Sequence, residues 1–113
     1  MKKQFLVLFL FVLIPIFTMA HPPQKVVITY DKATSTVKVV ITHPVNDVNT
    51  HFIKSVVIKV DGKEVKTFTE TKQDATSTET VEVVLSGVKP GMKIEALATC
   101  NLMGSKKGKI TVQ

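Results

Sequence analysis

The chain has 113 residues and a formal net charge of +6, with fifteen lysines, no arginine, one cysteine and no tryptophan. Its length limits it to one small domain. Nucleic-acid binding is excluded as a main function, because the chain has no arginine and only 6% aromatic residues. A single cysteine cannot form an internal disulfide, so it is buried, intermolecular or bound to a metal.

Residues 1–20 have the three parts of a secretory signal peptide. Lys2 and Lys3 form a positive start, residues 5–17 are almost wholly apolar, and residues 18–20 end in small side chains. The apolar run is shorter than the roughly 20 residues that cross a bilayer, although an uncleaved anchor is the alternative. We therefore predict that residues 1–20 are removed and that residues 21–113 form a periplasmic or secreted domain.

The mature part is a series of short runs rich in valine, isoleucine and threonine, separated by turn residues. Asp61-Gly62 is a strong signal for a two-residue hairpin, and Lys89-Pro90-Gly91 is typical of a turn. The predicted strands are 25–30, 36–42, 52–60, 64–69, 78–85, 92–99 and 109–112. This pattern predicts an all-β fold, a seven-stranded antiparallel Ig-like β-sandwich. Residues 73–78 are interpreted as a polar connecting loop without chemistry of its own.

The residues that bind metals best all lie at the ends of predicted strands. Cys100 follows one strand, His43 ends another, His51 begins the next and His21 precedes the first. The wide loop 44–50 can fold back and bring His43 and His51 together, and the turn after Cys100 can lie at the same end. Imidazole and thiolate suit iron, copper and zinc. The pattern favours a transition-metal site over the alternative of surface histidines and a buried, apolar cysteine.

Two segments carry a resemblance to a known family. Residues Cys100-Asn101-Leu102-Met103-Gly104 resemble the Cys-Asn-x-His-Gly loop of the desulfoferrodoxin/neelaredoxin family, the superoxide reductases. His43-Pro44 and His51-Phe52-Ile53 resemble the His-Pro and His-x-Ile segments of that family, in the same order. The resemblance implies one iron ion held by histidines and a cysteine thiolate. It also implies reduction of superoxide to peroxide, with an external electron donor as partner.

The resemblance also implies roles for individual residues. Cys100 would be the axial thiolate, and His43 and His51 would be two equatorial ligands. His21 would correspond to the N-terminal histidine of the family, which usually follows a lysine. Ala20 stands at the position of that lysine, so this chain lacks the assistance that the lysine gives in the family.

Met103 stands where the family has its fourth histidine. Two imidazoles, a thiolate and a thioether are the donor set of copper electron-transfer sites. A His21 at a new N-terminus can also chelate copper through its amino group and ring together. The sequence thus leaves three functions open: an iron protein that resembles superoxide reductase, a copper-binding or electron-transfer protein, and a metal-free Ig-like binding module. Whether the chain is an active enzyme or a homo-oligomer is also left open.

Overall fold

The computed structural model describes residues 21–113, so the predicted signal peptide lies outside the described residues. All regular structure in this range is β-strand. The seven strands are β1 Lys25–Asp31, β2 Thr36–Thr42, β3 Ile53–Val60, β4 Lys63–Thr69, β5 Thr78–Val84, β6 Lys93–Cys100 and β7 Ser105–Thr111. Residues 21–113 contain no helical segment with the length and hydrophobicity that a bilayer crossing requires.

The strands form two antiparallel sheets that pack face to face. One sheet has the order β1-β2-β5, and the other has the order β4-β3-β6-β7. Every paired strand runs antiparallel to its neighbour, from β1 on β2 to β6 on β7. The predicted seven-stranded antiparallel β-sandwich is therefore confirmed.

The core lies between the sheets and follows from the alternation of side chains along the central strands. In β2 every second residue faces inward, and in β6 the inward set ends at the cysteine. Each fully buried valine or isoleucine contributes about 1.5–3 kcal/mol relative to an exposed one. The buried apolar residues are Ile28, Val37, Val39, Ile41, Ile53, Val56, Ile58, Val81, Ile94, Ala96, Ala98, Cys100 and Val112.

Strand β7 begins at Ser105, four residues before the predicted start at residue 109. Lysines 106, 107 and 109 interrupt the hydrophobic alternation by which a strand is predicted. Their side chains are solvated and protect the edge of the sheet. Gly108 allows the strand to lie close to β1, since a Cβ at this position would stand only 2.5 Å from the Val26 carbonyl oxygen.

One end of the sandwich gathers the end of β2, the start of β3 and the end of β6. Beyond β2, His43 continues the pairing, because its N–H donates to the Ser77 carbonyl at 3.0 Å. At the start of β3 the register with β6 shifts between Ile53 and Ser55, directly beside the Ile53–Cys100 pair. Such irregularities re-aim side chains at sheet ends, and this one lies between the two segments that carry His51 and Cys100.

Candidate metal centre

His43, His51 and Cys100 meet at this end of the sandwich. One ligand atom from each residue lies within 4.8 Å of the others. The His43 and His51 rings are perpendicular, with their centroids 4.7 Å apart. His43 is fully buried and Cys100 is 3% exposed. Residues that are far apart in sequence thus place two imidazoles and one sulfur around a common point.

The His43 side chain is held at one of its two ring nitrogens. Its Nδ1–H donates to the Gln73 side-chain oxygen at 2.8 Å. Its Nε2 lies 3.3 Å from the His21 carbonyl oxygen. Because Nδ1 is occupied, Nε2 is the nitrogen of His43 that remains for a metal ion.

The loop 44–52 presents His51 through a tight turn. The N–H groups of Thr50 and His51 both donate to the Asp47 carbonyl, at 3.2 and 3.1 Å. The buried Nε2 of His51 has no hydrogen-bond partner among the described residues. Burial lowers the pKa of His51 below its ordinary value, and the His43 and His21 rings lower it further. A neutral imidazole with an unpaired buried nitrogen is the form that binds a metal.

The Cys100 sulfur lies inside a turn that directs backbone N–H groups at it. The N–H groups of Leu102 and Met103 donate to Sγ at 3.3 and 3.5 Å. The turn closes where the Cys100 N–H donates to the Gly104 carbonyl at 3.0 Å, and Gly104 has a φ of +77°. Two N–H groups aimed at one sulfur are donors of the kind that stabilise negative charge at that atom.

Asn101 ties the cysteine turn to the histidine loop. Its N–H donates to the Phe52 carbonyl at 2.9 Å, and its side-chain oxygen accepts the Phe52 N–H at 2.9 Å. Its side-chain nitrogen donates to the Thr50 carbonyl at 3.1 Å. These bonds fix the backbone on both sides of His51 relative to Cys100, and they explain why an asparagine follows the cysteine.

His21 lies beside the three-residue group. Its ring centroid is 5.2 Å from those of both His43 and His51. Its Nδ1 faces the Pro22 carbonyl at 3.1 Å and its Nε2 faces the Pro44 carbonyl at 2.9 Å. Both ring nitrogens therefore face carbonyl oxygens, and a neutral imidazole, which has one ring proton, donates to only one of them. A cleft of about 180 Å³ opens here, lined by His21, Pro44, Val45, Asn46 and His51.

Met103 lies in the cysteine turn, but its side chain is 53% exposed. The neighbouring Leu102 is exposed to a similar degree, at 56%. The backbone of Met103 contacts the sulfur, as described above, while its thioether extends from the surface of the turn. A ligand role for Met103, like one for His21, stays a prediction.

Gln73 is the residue of this site that the sequence pattern misses. The pattern indicates a polar loop without chemistry at 73–78, yet Gln73 is only 1% exposed and bonds directly to His43. Its side-chain bonds to Ile53 and His43 span 20 and 30 residues of the chain. A lone glutamine in a polar loop carries no periodic signal, so only the three-dimensional structure reveals it.

The residues present fit a transition-metal ion. Bonds near 2.0–2.1 Å to nitrogen and 2.3 Å to sulfur are typical of such ions, and they require ligand atoms a few ångströms apart. The three ligand atoms lie within 4.8 Å of one another, and the Nε2 of His51 is a buried ring nitrogen without a partner among the described residues. Imidazole with thiolate is the ligand set of iron, copper and zinc.

A sequence profile of the desulfoferrodoxin family matches residues 17–109. The chain belongs to the desulfoferrodoxin family. Comparison with curated proteins finds no match. The family assignment confirms the resemblance carried by the cysteine turn and the two histidine segments, and a desulfoferrodoxin domain implies a metal centre.

Three solved structures share the fold of this desulfoferrodoxin. A hypothetical protein from Pyrococcus horikoshii is 18% identical in sequence, with a TM-score of 0.61. The alignment covers 86% of this chain and 93% of the Pyrococcus chain. A superoxide reductase in the oxidized state is 20% identical with a TM-score of 0.59, covering 86% and 94%. A variant of a superoxide reductase (neelaredoxin) from Ignicoccus hospitalis is 17% identical with a TM-score of 0.52, covering 83% and 80%.

Proposed function

We propose that this chain binds a single iron ion through His43, His51 and Cys100 and reduces superoxide to peroxide. The observation that carries the proposal is the clustering of one ligand atom each from His43, His51 and Cys100 within 4.8 Å, together with a buried His51 Nε2 that has no hydrogen-bond partner among the described residues. Membership of the desulfoferrodoxin family supports iron as the metal. The similarity of fold to two superoxide reductases supports the reaction.

The residues of the chain have distinct tasks in this proposal. His43 and His51 bind the ion through neutral imidazoles, and Cys100 adds a thiolate whose charge the turn N–H groups stabilise. The cleft beside His21 and Asn46 gives a small anion a path to the group. Bound ferrous iron would supply one electron to superoxide, and two protons from solvent complete hydrogen peroxide. An external electron donor then returns one electron for each turnover.

Copper is the second candidate, and one observation favours it. The His21 carbonyl lies 3.3 Å from His43 Nε2, so the His21 main chain stands within the ligand group. Removal of residues 1–20 would leave a free amino group on His21, and copper binds such a group together with the ring.

The proposed export to the periplasm or outside the cell rests on the signal-peptide pattern. Mass spectrometry of the exported protein tests it, with His21 as the expected first residue.

Metal analysis of protein isolated from its native compartment tests the function directly. We expect about one iron per chain, an absorption band from thiolate-to-metal charge transfer, and loss of both in Cys100→Ser. Leu102→Ala is the matched control, because Leu102 is exposed on the same turn and contributes only its backbone to the site. Protein that contains copper and does not consume superoxide would replace the first candidate by the second.

The reaction needs its own measurement. With a chemical reductant present, the ferrous protein should produce about one peroxide for each superoxide consumed and no dioxygen. A dismutase would instead release dioxygen and produce about half as much peroxide. A wild-type protein that binds iron but consumes no superoxide beyond the buffer rate would refute the enzymatic part of the proposal.

A further inference from the structure

We propose that Gln73 is a positioning residue of the metal centre: it fixes the tautomer of His43 so that Nε2 alone is left to bind the metal. The inference rests on the proposed role of His43 as a ligand. Gln73 lies in the loop between β4 and β5 and reaches the site from outside the segments that resemble the family motifs. Its side chain makes four hydrogen bonds, and three of them are to backbone groups.

The backbone partners determine which way the Gln73 amide points. The Ile53 N–H can only donate, and it lies 3.2 Å from the Gln73 Oε1. The carbonyls of His43 and Ala75 can only accept, and they lie 2.8 and 2.9 Å from the Gln73 Nε2. Rotating the amide by half a turn would place oxygen against two carbonyls and nitrogen against an N–H group. The orientation with Oε1 toward His43 is therefore the one that satisfies all three backbone groups.

The amide orientation in turn determines the proton position on His43. Its Nδ1 faces the Gln73 oxygen at 2.8 Å, so Nδ1 carries the proton and donates. A neutral imidazole has one ring proton, so Nε2 keeps a lone pair. That lone pair faces the His21 carbonyl at 3.3 Å, which has no hydrogen to offer. A metal ion held by His51 and Cys100 would accept this lone pair of His43.

Burial makes this control effective. Gln73 is 1% exposed and His43 is fully buried, so water cannot replace either partner. The Gln73 main chain adds a further tie, because its N–H donates to the Val48 carbonyl at 3.1 Å in the histidine loop. The same residue therefore holds the strand end that carries His43 and the loop that carries His51. Partners of this kind orient ligating histidines and raise metal affinity.

A purely structural role makes a different prediction from a positioning role. If Gln73 only filled space and satisfied backbone groups, its loss would lower stability while His43 kept its tautomer. If Gln73 selects the tautomer, its loss changes the nitrogen that carries the proton. Nitrogen-15 NMR of the metal-free protein distinguishes the two ring nitrogens of His43 and measures this directly.

Two variants separate tautomer control from stability. Gln73→Leu has no acceptor for the His43 Nδ1–H, so we expect the Nε2–H tautomer to appear and Co²⁺ affinity to fall by about 10- to 100-fold. Gln73→Glu keeps an acceptor oxygen but loses the donation to two carbonyls, so it should lose stability and retain the Nδ1–H tautomer. Ile94→Ala is the matched control, since it removes buried core volume about 20 Å along β6 from Cys100.

The wild-type spectrum alone decides the central point, even if a variant does not fold. An Nε2–H tautomer in metal-free wild-type protein would overturn the inference, as would an unchanged tautomer and Co²⁺ affinity in folded Gln73→Leu. An affinity loss in Ile94→Ala equal to that of Gln73→Leu would assign the effect to stability and overturn it as well. Wild-type protein with the Nδ1–H tautomer that binds no Co²⁺ would instead refute the metal assignment, and the positioning role with it.

Discussion

Asn101 and Phe52 hold each other by two hydrogen bonds of 2.9 Å, one in each direction. Phe52 follows His51 and Asn101 follows Cys100, so this pair sets the distance between two of the proposed ligands. The third bond, from the Asn101 side chain to the Thr50 carbonyl, fixes the residue before His51. The ligand geometry is therefore built into the backbone and does not depend on the metal alone.

Asn101→Ala should loosen the site more than it loosens the fold. Removal of the side chain leaves the Phe52 N–H and the Thr50 carbonyl without their partner, which costs about 1–3 kcal/mol of unfolding free energy. We expect metal affinity to fall about tenfold or more, as for other residues that orient ligands. Asn101→Asp is the control, because it keeps the acceptor for Phe52 and should retain more affinity. Equal metal affinities in Asn101→Ala and wild type would contradict the view that the Asn101 hydrogen bonds set the ligand geometry.

The sequence predicts most of the fold because its strands follow a simple alternation. Six of the seven predicted strands start and end within one residue of the observed bounds, and the convergence of His43, His51 and Cys100 follows from their places at strand ends. The predicted β7 is too short because its lysines and Gly108 give no hydrophobic alternation. The strand pairs with β6, and the residues of β7 alone do not predict this pairing.

Gln73 shows why the rest of the site could not be predicted. Its burial results from a loop folding over the end of the sandwich, and its partners lie on β3 and beyond β2. Only a weak signal could have found it. Two ligand histidines must be oriented, and this requires a buried hydrogen-bond acceptor for a ring nitrogen somewhere in the chain. Local propensity contains no information of that kind, because the contact depends on where two distant strand ends meet.

Gly104→Ala should disturb the segment that carries His21. A Cβ on Gly104 would lie 2.7 Å from the Pro22 Cβ, so the N-terminal segment must move. Gly87→Ala is the matched control, since Gly87 has a similar φ of +85° and open space around a Cβ. The backbone strain of about 1–2 kcal/mol is common to both variants. We expect the NMR signals of the His21 ring to shift in Gly104→Ala alone, and equal shifts in the two variants would refute the contact.

Glu79 should make stability depend on pH. Burial raises the pKa of Glu79 from 4.5 to about 7, although the Asp74 N–H donates to it at 2.7 Å. The folded state therefore holds a proton that the unfolded state releases above pH 4.5. Its contribution is complete below pH 4.5 and decreases as the pH rises through 7, when a charged carboxylate must stay buried.

Replacing Glu79 by glutamine tests this dependence. Glu79→Gln keeps an acceptor for Asp74 and carries no charge, so we expect it to exceed wild type in unfolding free energy by about 2 kcal/mol at pH 8. At pH 4 the two proteins should be nearly equal. Denaturant unfolding at both values measures the difference, with Glu82→Gln as the exposed control on the same strand. A gain of the same size at pH 4 and pH 8 would rule out a buried charge as its cause.

Met103 decides between iron chemistry and the copper alternative. Its backbone already contacts the Cys100 sulfur, so an imidazole at this position could turn toward the ion where the thioether now extends outward. Met103→His should raise ferrous affinity and the rate of superoxide reduction, because iron gains an imidazole. Met103→Leu should weaken copper binding if the thioether is a ligand and change little if it is only a surface side chain. Metal affinity and reductase rate of wild type and both variants give the comparison. If folded Met103→His gains neither iron binding nor activity, the superoxide-reductase proposal fails for this chain and the family fold remains.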